Sequence, residues 1–182
     1  MRVNSGKGFT ALEMIITMSV IAVLSAAAVP SFIQAQKKAQ LKVAAQDLKA
    51  TLDIAQSETI KTRKPIYVAY MAPDGNSGCI LSSDTNDIDA LTCAETSKGL
   101  PKFHFEHYSG IELNNPPERS KILFYFKPQT TQPSVNISLT LALSVDPSEQ
   151  AGVLVRPYAG LKGCSSSQFS SWTTCPSSEE GA

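Results

Sequence analysis

The sequence predicts an α+β protein: a long N-terminal α-helix, membrane-spanning in its first half and amphipathic in its second, packed on an antiparallel β-sheet head. Three observations carry this. Phe9–Val29 is a 21-residue apolar run in which Glu13 is the only ionisable side chain. Residues 31–64 contain neither Gly nor Pro and carry an apolar stripe at helical spacing. From Pro65 onward the texture changes to short alternating segments separated by turn residues.

Composition bounds the rest. The chain has 182 residues, of which 42% are hydrophobic and 18% charged, enough for a core and too little charge for a disordered chain. Lys+Arg and Asp+Glu are both 16, so no chain-wide basic footprint for nucleic acid exists. Four cysteines permit two bridges but not a dense disulfide scaffold.

Met1–Gly8 is short and polar, with Arg2 and Lys7 its only charges. The run that follows, as a helix, is about 30 Å long, the thickness of a bilayer's hydrocarbon core. A secretory signal peptide cut after Ala26-Ala27-Ala28 is one reading, but its apolar region is usually about 7–15 residues. A carboxylate within the membrane costs about 2.5–3.5 kcal/mol on insertion scales, a cost that a discarded peptide has no means to recover.

Gly8-Phe9-Thr10-Ala11-Leu12-Glu13, between a short basic leader and an unbroken apolar run, resembles the class III signal of type IV pilins and type II secretion pseudopilins. The resemblance implies cleavage between Gly8 and Phe9 by a prepilin peptidase and N-methylation of Phe9. Residues 1–8 are then the leader, 9–29 the transmembrane and filament-core helix, 30–64 its amphipathic half, and 65–182 the periplasmic head. Glu13 becomes the fifth residue of the mature chain, where the family carries its glutamate. Val29-Pro30-Ser31-Phe32 is similar to the proline-containing segment that follows the apolar run in pilins. Cleavage also frees the amino group of Phe9, a cation that Glu13 can meet on a neighbouring subunit, setting axial register, or within its own chain one turn away.

Pro30 lacks an N–H and loosens the preceding turn without necessarily ending the helix, a kink position. Beyond it Leu41, Ala45, Leu48, Leu52, Ala55 and Thr59 step by fours and threes. Lys61, Arg63 and Lys64 suit a helix C-terminus and Pro65 stops it, so residues 9–64 make a rod about 80 Å long. The segment from Ala55 to Val68 resembles the helix-to-strand junction of GspH/FimT-type minor pilins.

In the head, Ile66–Met71, Lys102–Tyr108, Lys121–Lys127 and Gly152–Arg156 read as strands. In Ser134–Val145 the residues Val135, Ile137, Leu139, Leu141, Leu143 and Val145 share one parity, which predicts one buried and one wet face. Asn114–Pro117 and Pro128–Pro133 read as turns, and Ser177–Ala182 as a disordered tail. Three disulfide connectivities are possible for Cys79, Cys93, Cys164 and Cys175. The local pairing Cys79–Cys93 with Cys164–Cys175 is the preferred one, and it suits an oxidising space.

No catalytic motif appears: there is no Gly-rich phosphate loop, G-x-S-x-G elbow or H-E-x-x-H. The expectation is a non-enzyme with no cofactor and no metal. His104 and His107, three apart in a predicted strand, face opposite sides and cannot share an ion. Some pseudopilins carry a calcium loop, but Asp84–Asp89 lacks the glycine and distant glutamate of an EF-hand and reads as a solvated turn. Some FimT-type pilins capture DNA through a Gly-Arg-x-Arg motif. The nearest match here, Gly160-Leu161-Lys162-Gly163, has neither arginine, and residues 65–182 carry seven basic and twelve acidic side chains, net −5.

The resemblance therefore implies a minor pilin that primes assembly at or near the tip of a type IV pilus. Its partners would be other minor pilins and the major pilin through helix–helix packing, the prepilin peptidase, the inner-membrane assembly platform, and membrane lipid before assembly. It would start as a single-pass inner-membrane protein with a periplasmic head. An H-type pseudopilin of type II secretion is the alternative, and a DNA-uptake receptor a lesser one.

Overall fold

The computed structural model describes residues 9–72, 78–94, 100–166 and 172–176. The predicted leader Met1–Gly8 and the tail predicted to be disordered, Ser177–Ala182, lie outside the described residues. The chain divides into two compact units, Met1–Lys38 and Ala39–Ala182.

One α-helix, α1, runs from Ala11 to Thr62 with Pro30 inside it. It ends where Arg63 takes a left-handed φ of 54° and donates its N–H to Thr59 O at 3.0 Å. This is the single-bond left-handed cap that closes many helices, here without the glycine that favours it. Within the second unit, Leu41, Ala45, Leu48, Leu52, Ala55 and Thr59 are all buried, as their spacing predicts. The Thr59 hydroxyl, the polar member of the stripe, donates to Ala55 O at 3.1 Å, so its burial leaves no donor orphaned.

Among the described residues the head holds nine strands: β1 Ile66–Met71, β2 Cys79–Ser83, β3 Lys102–His104, β4 Ile111–Leu113, β5 Lys121–Phe126, β6 Ile137–Leu143, β7 Asp146–Arg156, β8 Gly160–Ser165 and β9 Thr173–Thr174. They form two sheets, one ordered β3-β2-β1-β5 and one ordered β4-β6-β7-β8-β9. Every pairing is antiparallel except β8 with β9. Leu48 and Leu52 of α1, Val68, Ile80, Phe103 and Phe126 of the first sheet, and Leu141, Val153 and Val155 of the second belong to one core. A smaller cluster of Ala69, Cys79, Leu81 and Leu91 covers the opposite face of the first sheet. It explains why β1 and β2 are buried on both faces while their sequences show little alternation.

Several strands depart from expectation. The Lys102–Tyr108 strand stops at His104, and Phe105–His107 forms a 3₁₀ turn. An unbroken strand would send Phe103 and Phe105 to the same face, which period two allows, but would keep Tyr108 from that face. The turn brings Tyr108 parallel to Phe103, ring centres 5.5 Å apart, with Phe105 edge-on to Phe103 at 5.1 Å. On β6 the outer members of the predicted stripe, Val135 and Val145, are exposed, because the strand spans only Ile137–Leu143. Its other face is not wet: Thr140 and Ala142 are also buried.

Strand β7 is longer than the predicted Gly152–Arg156, because it pairs with β6 as far as Leu143↔Asp146. A register shift between Ala142 and Leu143 accommodates the extra residues of β7, including Pro147, at a bulge where a missing N–H is tolerated. Asn115 and Thr131 take positive φ within the turns predicted at Asn114–Pro117 and Pro128–Pro133.

Candidate functional site

Thr10 is the N-cap of α1: its hydroxyl accepts from Glu13 N–H at 3.3 Å and its carbonyl from Met14 N–H at 3.2 Å. Thr10-Ala11-Leu12-Glu13 thus has the capping-box form, with a carboxylate in the first turn where the helix dipole favours it. Sequence reasoning assigned Glu13 only an ionic partner and missed this local role, although the T-x-x-E spacing announces it.

From Phe9 to Gln36 Glu13 is the sole ionisable side chain, and Lys37 and Lys38 follow. Every large apolar side chain from Leu12 to Val29 is at least half exposed. Among the described residues α1 is the one helix long and apolar enough to cross a membrane, and none of its most apolar window is buried. Two hydroxyls of this apolar stretch are satisfied internally. Thr17 donates to Met14 O at 2.9 Å and Ser19 to Ile16 O at 2.8 Å, as hydroxyls in hydrocarbon require. Pro30 cannot donate to Ala26 O, yet the helix continues through it. Gly8 lies outside the described residues, while Phe9 is 75% exposed just before the cap.

In the head, Cys79 is bonded to Cys93 and Cys164 to Cys175, with Cα separations of 5.9 and 4.8 Å. The first bridge holds the segment covering the outer face of the first sheet, and Lys102 Nζ secures it further by donating to Cys93 O at 3.1 Å and Thr92 O at 3.3 Å. Asp84–Asp89 is a capped turn. Asp87 Oδ1 accepts from Asp89 N–H at 3.2 Å and caps the 3₁₀ turn Ile88–Ala90, while Thr85 Oγ1 accepts from Asp87 N–H at 3.2 Å. Among the described residues no group of three or more His, Cys, Asp or Glu side chains could hold a metal.

His104 and His107 do not face opposite sides as predicted, because the segment between them is not a strand. Across the 3₁₀ turn their rings approach to 5.4 Å between centres. Gly160–Gly163 lies in β8, where Gly163 packs under the Trp172 indole. Arg156 and Lys162 line one shallow cavity of about 610 Å³ with the almost fully exposed Tyr158, and the Arg156 guanidinium is hydrogen-bonded to Asn136 Oδ1. A larger cavity of about 660 Å³ runs along Tyr70, Phe105, Tyr108 and Ile111, with Glu106 and Glu112 in its lining. Both cavities depend on long-range strand pairing and leave no local trace in the sequence. Comparisons with protein-family models, with curated proteins and with solved structures find no match to this chain.

Proposed function

We propose that this chain is a minor pilin of the GspH/FimT type, a structural subunit that primes assembly of a type IV pilus and sits at or near its tip. The observation that carries the reading is the first turn of α1. A capped, membrane-length helix begins two residues after the Gly8/Phe9 junction, at Ala11, with a lone carboxylate at Glu13.

Cleavage between Gly8 and Phe9 would put a protonated amine at the positive end of the helix dipole, beside the backbone N–H groups of Glu13 and Met14 that Thr10 accepts. Glu13 is the one carboxylate positioned to neutralise it, from its own chain or from a neighbour. In a low-dielectric filament core such a pair is strongly favoured over either charge alone. A same-sized apolar residue would pack as well but would leave the amine unpaired. The exposed apolar surface from Leu12 to Val29 would be covered first by lipid and then by the helices of other subunits. Val43 and Ile54, eleven residues and three turns apart, add exposed apolar contacts on one outward face of the lower helix. The two disulfides suit a periplasmic head.

Intact-mass measurement of the protein recovered from membranes tests the reading. The expected chain begins at Phe9 and carries one methyl group on its amine; a chain beginning near Val29 overturns it. Glu13→Ala and Glu13→Val should leave membrane insertion intact and abolish incorporation into fibres, and unimpaired incorporation would remove the role assigned to Glu13.

A further inference from the structure

His104 closes β3 and His107 closes the 3₁₀ turn that follows, so they occupy the N-cap and third positions of one tight turn. Side chains at these two positions lie together, as in a capping box, and the three-residue period of the turn stacks them on one face. Glu106, one position short of the full turn, is carried off that face. The rings are 5.4 Å apart between centres and tilted by 43°.

That separation is close to what a shared ion requires. A metal bound at about 2.0–2.1 Å to one nitrogen of each of two imidazoles holds their ring centres about 5 Å apart when the arrangement is tetrahedral. The turn is well anchored. Phe105 N–H donates to Gly78 O at 3.4 Å, Phe105 is buried, and Tyr108 stacks on Phe103. His104 also lies opposite Cys79 in the β2–β3 register, beside the Cys79–Cys93 bridge. His107 is exposed and His104 half-buried, so an ion reaches the pair from solvent.

We infer that His104 and His107 form a two-histidine chelate for a late first-row divalent ion, with water in the remaining coordination positions. The donor type selects Cu²⁺, Ni²⁺ and Zn²⁺ over Mg²⁺ and Ca²⁺, and the general affinity order puts Cu²⁺ first. A bound ion would clamp the end of β3 to the turn carrying Phe105 and Tyr108. The inference stands apart from the minor-pilin reading, since it concerns only the head.

The test uses the untagged full chain in detergent. Titration with Cu²⁺ followed by electron paramagnetic resonance should show one saturable site with couplings from two imidazole nitrogens. His104→Ala and His107→Ala should each leave one coupling and weaken binding about tenfold or more. Zn²⁺ should raise the melting midpoint saturably, because it binds only the folded chain. His107→Gln, on the exposed turn, should remove that rise without moving the metal-free midpoint. Absence of saturable Cu²⁺ binding, couplings and affinity unchanged in both alanine variants, or an equal Zn²⁺ shift in His107→Gln would each overturn the inference.

Discussion

Tyr108 Oη donates a 3.0 Å hydrogen bond to Asp47 Oδ2 across 61 positions of sequence, tying the turn after β3 to the amphipathic half of α1. Burial, the accepted hydrogen bond and the negative charge of Asp47 together push the phenol up to about 12 from the ordinary 10.0, burial being the largest cause. The folded state therefore favours the neutral phenol. Its contribution is complete below pH 10 and is lost as pH rises through 10 to about 12.

Ultraviolet titration of tyrosinate should show a late component near 12 that Tyr108→Phe removes, distinct from that of Tyr70, whose phenol burial also raises. Asp47→Asn should move that component down only part of the way to 10.0, because burial remains. A full return to the ordinary value would make Asp47, not burial, the main cause. Tyr108→Phe should cost about 1 kcal/mol in denaturant unfolding, the scale of one partly exposed hydrogen bond.

A Cβ on Gly163 would sit 2.5 Å from Trp172 Cε2 and 2.6 Å from Cδ2, so the indole occupies the space that any other residue would need. Gly163→Ala should destabilise the head by about 1–3 kcal/mol through overpacking. Trp172 is the only tryptophan, so its fluorescence reports the displacement directly. A red-shifted emission in the folded variant is expected, and unchanged emission would show that the indole is not seated on Gly163.

Leu48→Ala and Leu52→Ala, both at fully buried positions, should each cost about 2–5 kcal/mol by removing side chains that the helix shares with both sheets. Val43→Ala, at a position 53% exposed on the same helix, should change stability by no more than about 0.5 kcal/mol. Equal costs at Leu52 and Val43 in guanidinium unfolding would refute the buried stripe.

Replacing Cys79 and Cys93 together by Ser should cost about 3 kcal/mol, the entropy of a loop of 14 residues in the chain-entropy account. The bridge also holds the segment that places Leu91 over Leu81 and Ala69, so the loss falls on the outer face of the first sheet. Comparing unfolding with and without reductant measures it, and the Ser pair should abolish this bridge's share of the reductant effect.

Features written in contiguous residues were legible beforehand. The stripe from Leu41 to Thr59 follows from side-chain period, β1 from its β-branched and aromatic residues just after Pro65, and the apolar length of the first helix half from composition. The long N-terminal helix and β-rich head were readable for the same reason: a helix makes all its hydrogen bonds within a few residues, so local pattern decides it. The cap at Thr10 is equally local in its T-x-x-E spacing but was not anticipated.

What the tertiary structure decided involves partners far apart in the chain. Strand β8 carries two glycines and looks like a loop until Gly163 meets Trp172. Strand β2, with two serines, reads as a strand only when β1 and β3 flank it and the Cys79–Cys93 segment covers its outer face. His104 and His107 came together because Phe103, Phe105 and Tyr108 could all reach the core only if the strand broke into a turn. Periodicity cannot foresee such breaks, since the energy that drives them comes from burying several aromatic rings against surfaces supplied by other elements.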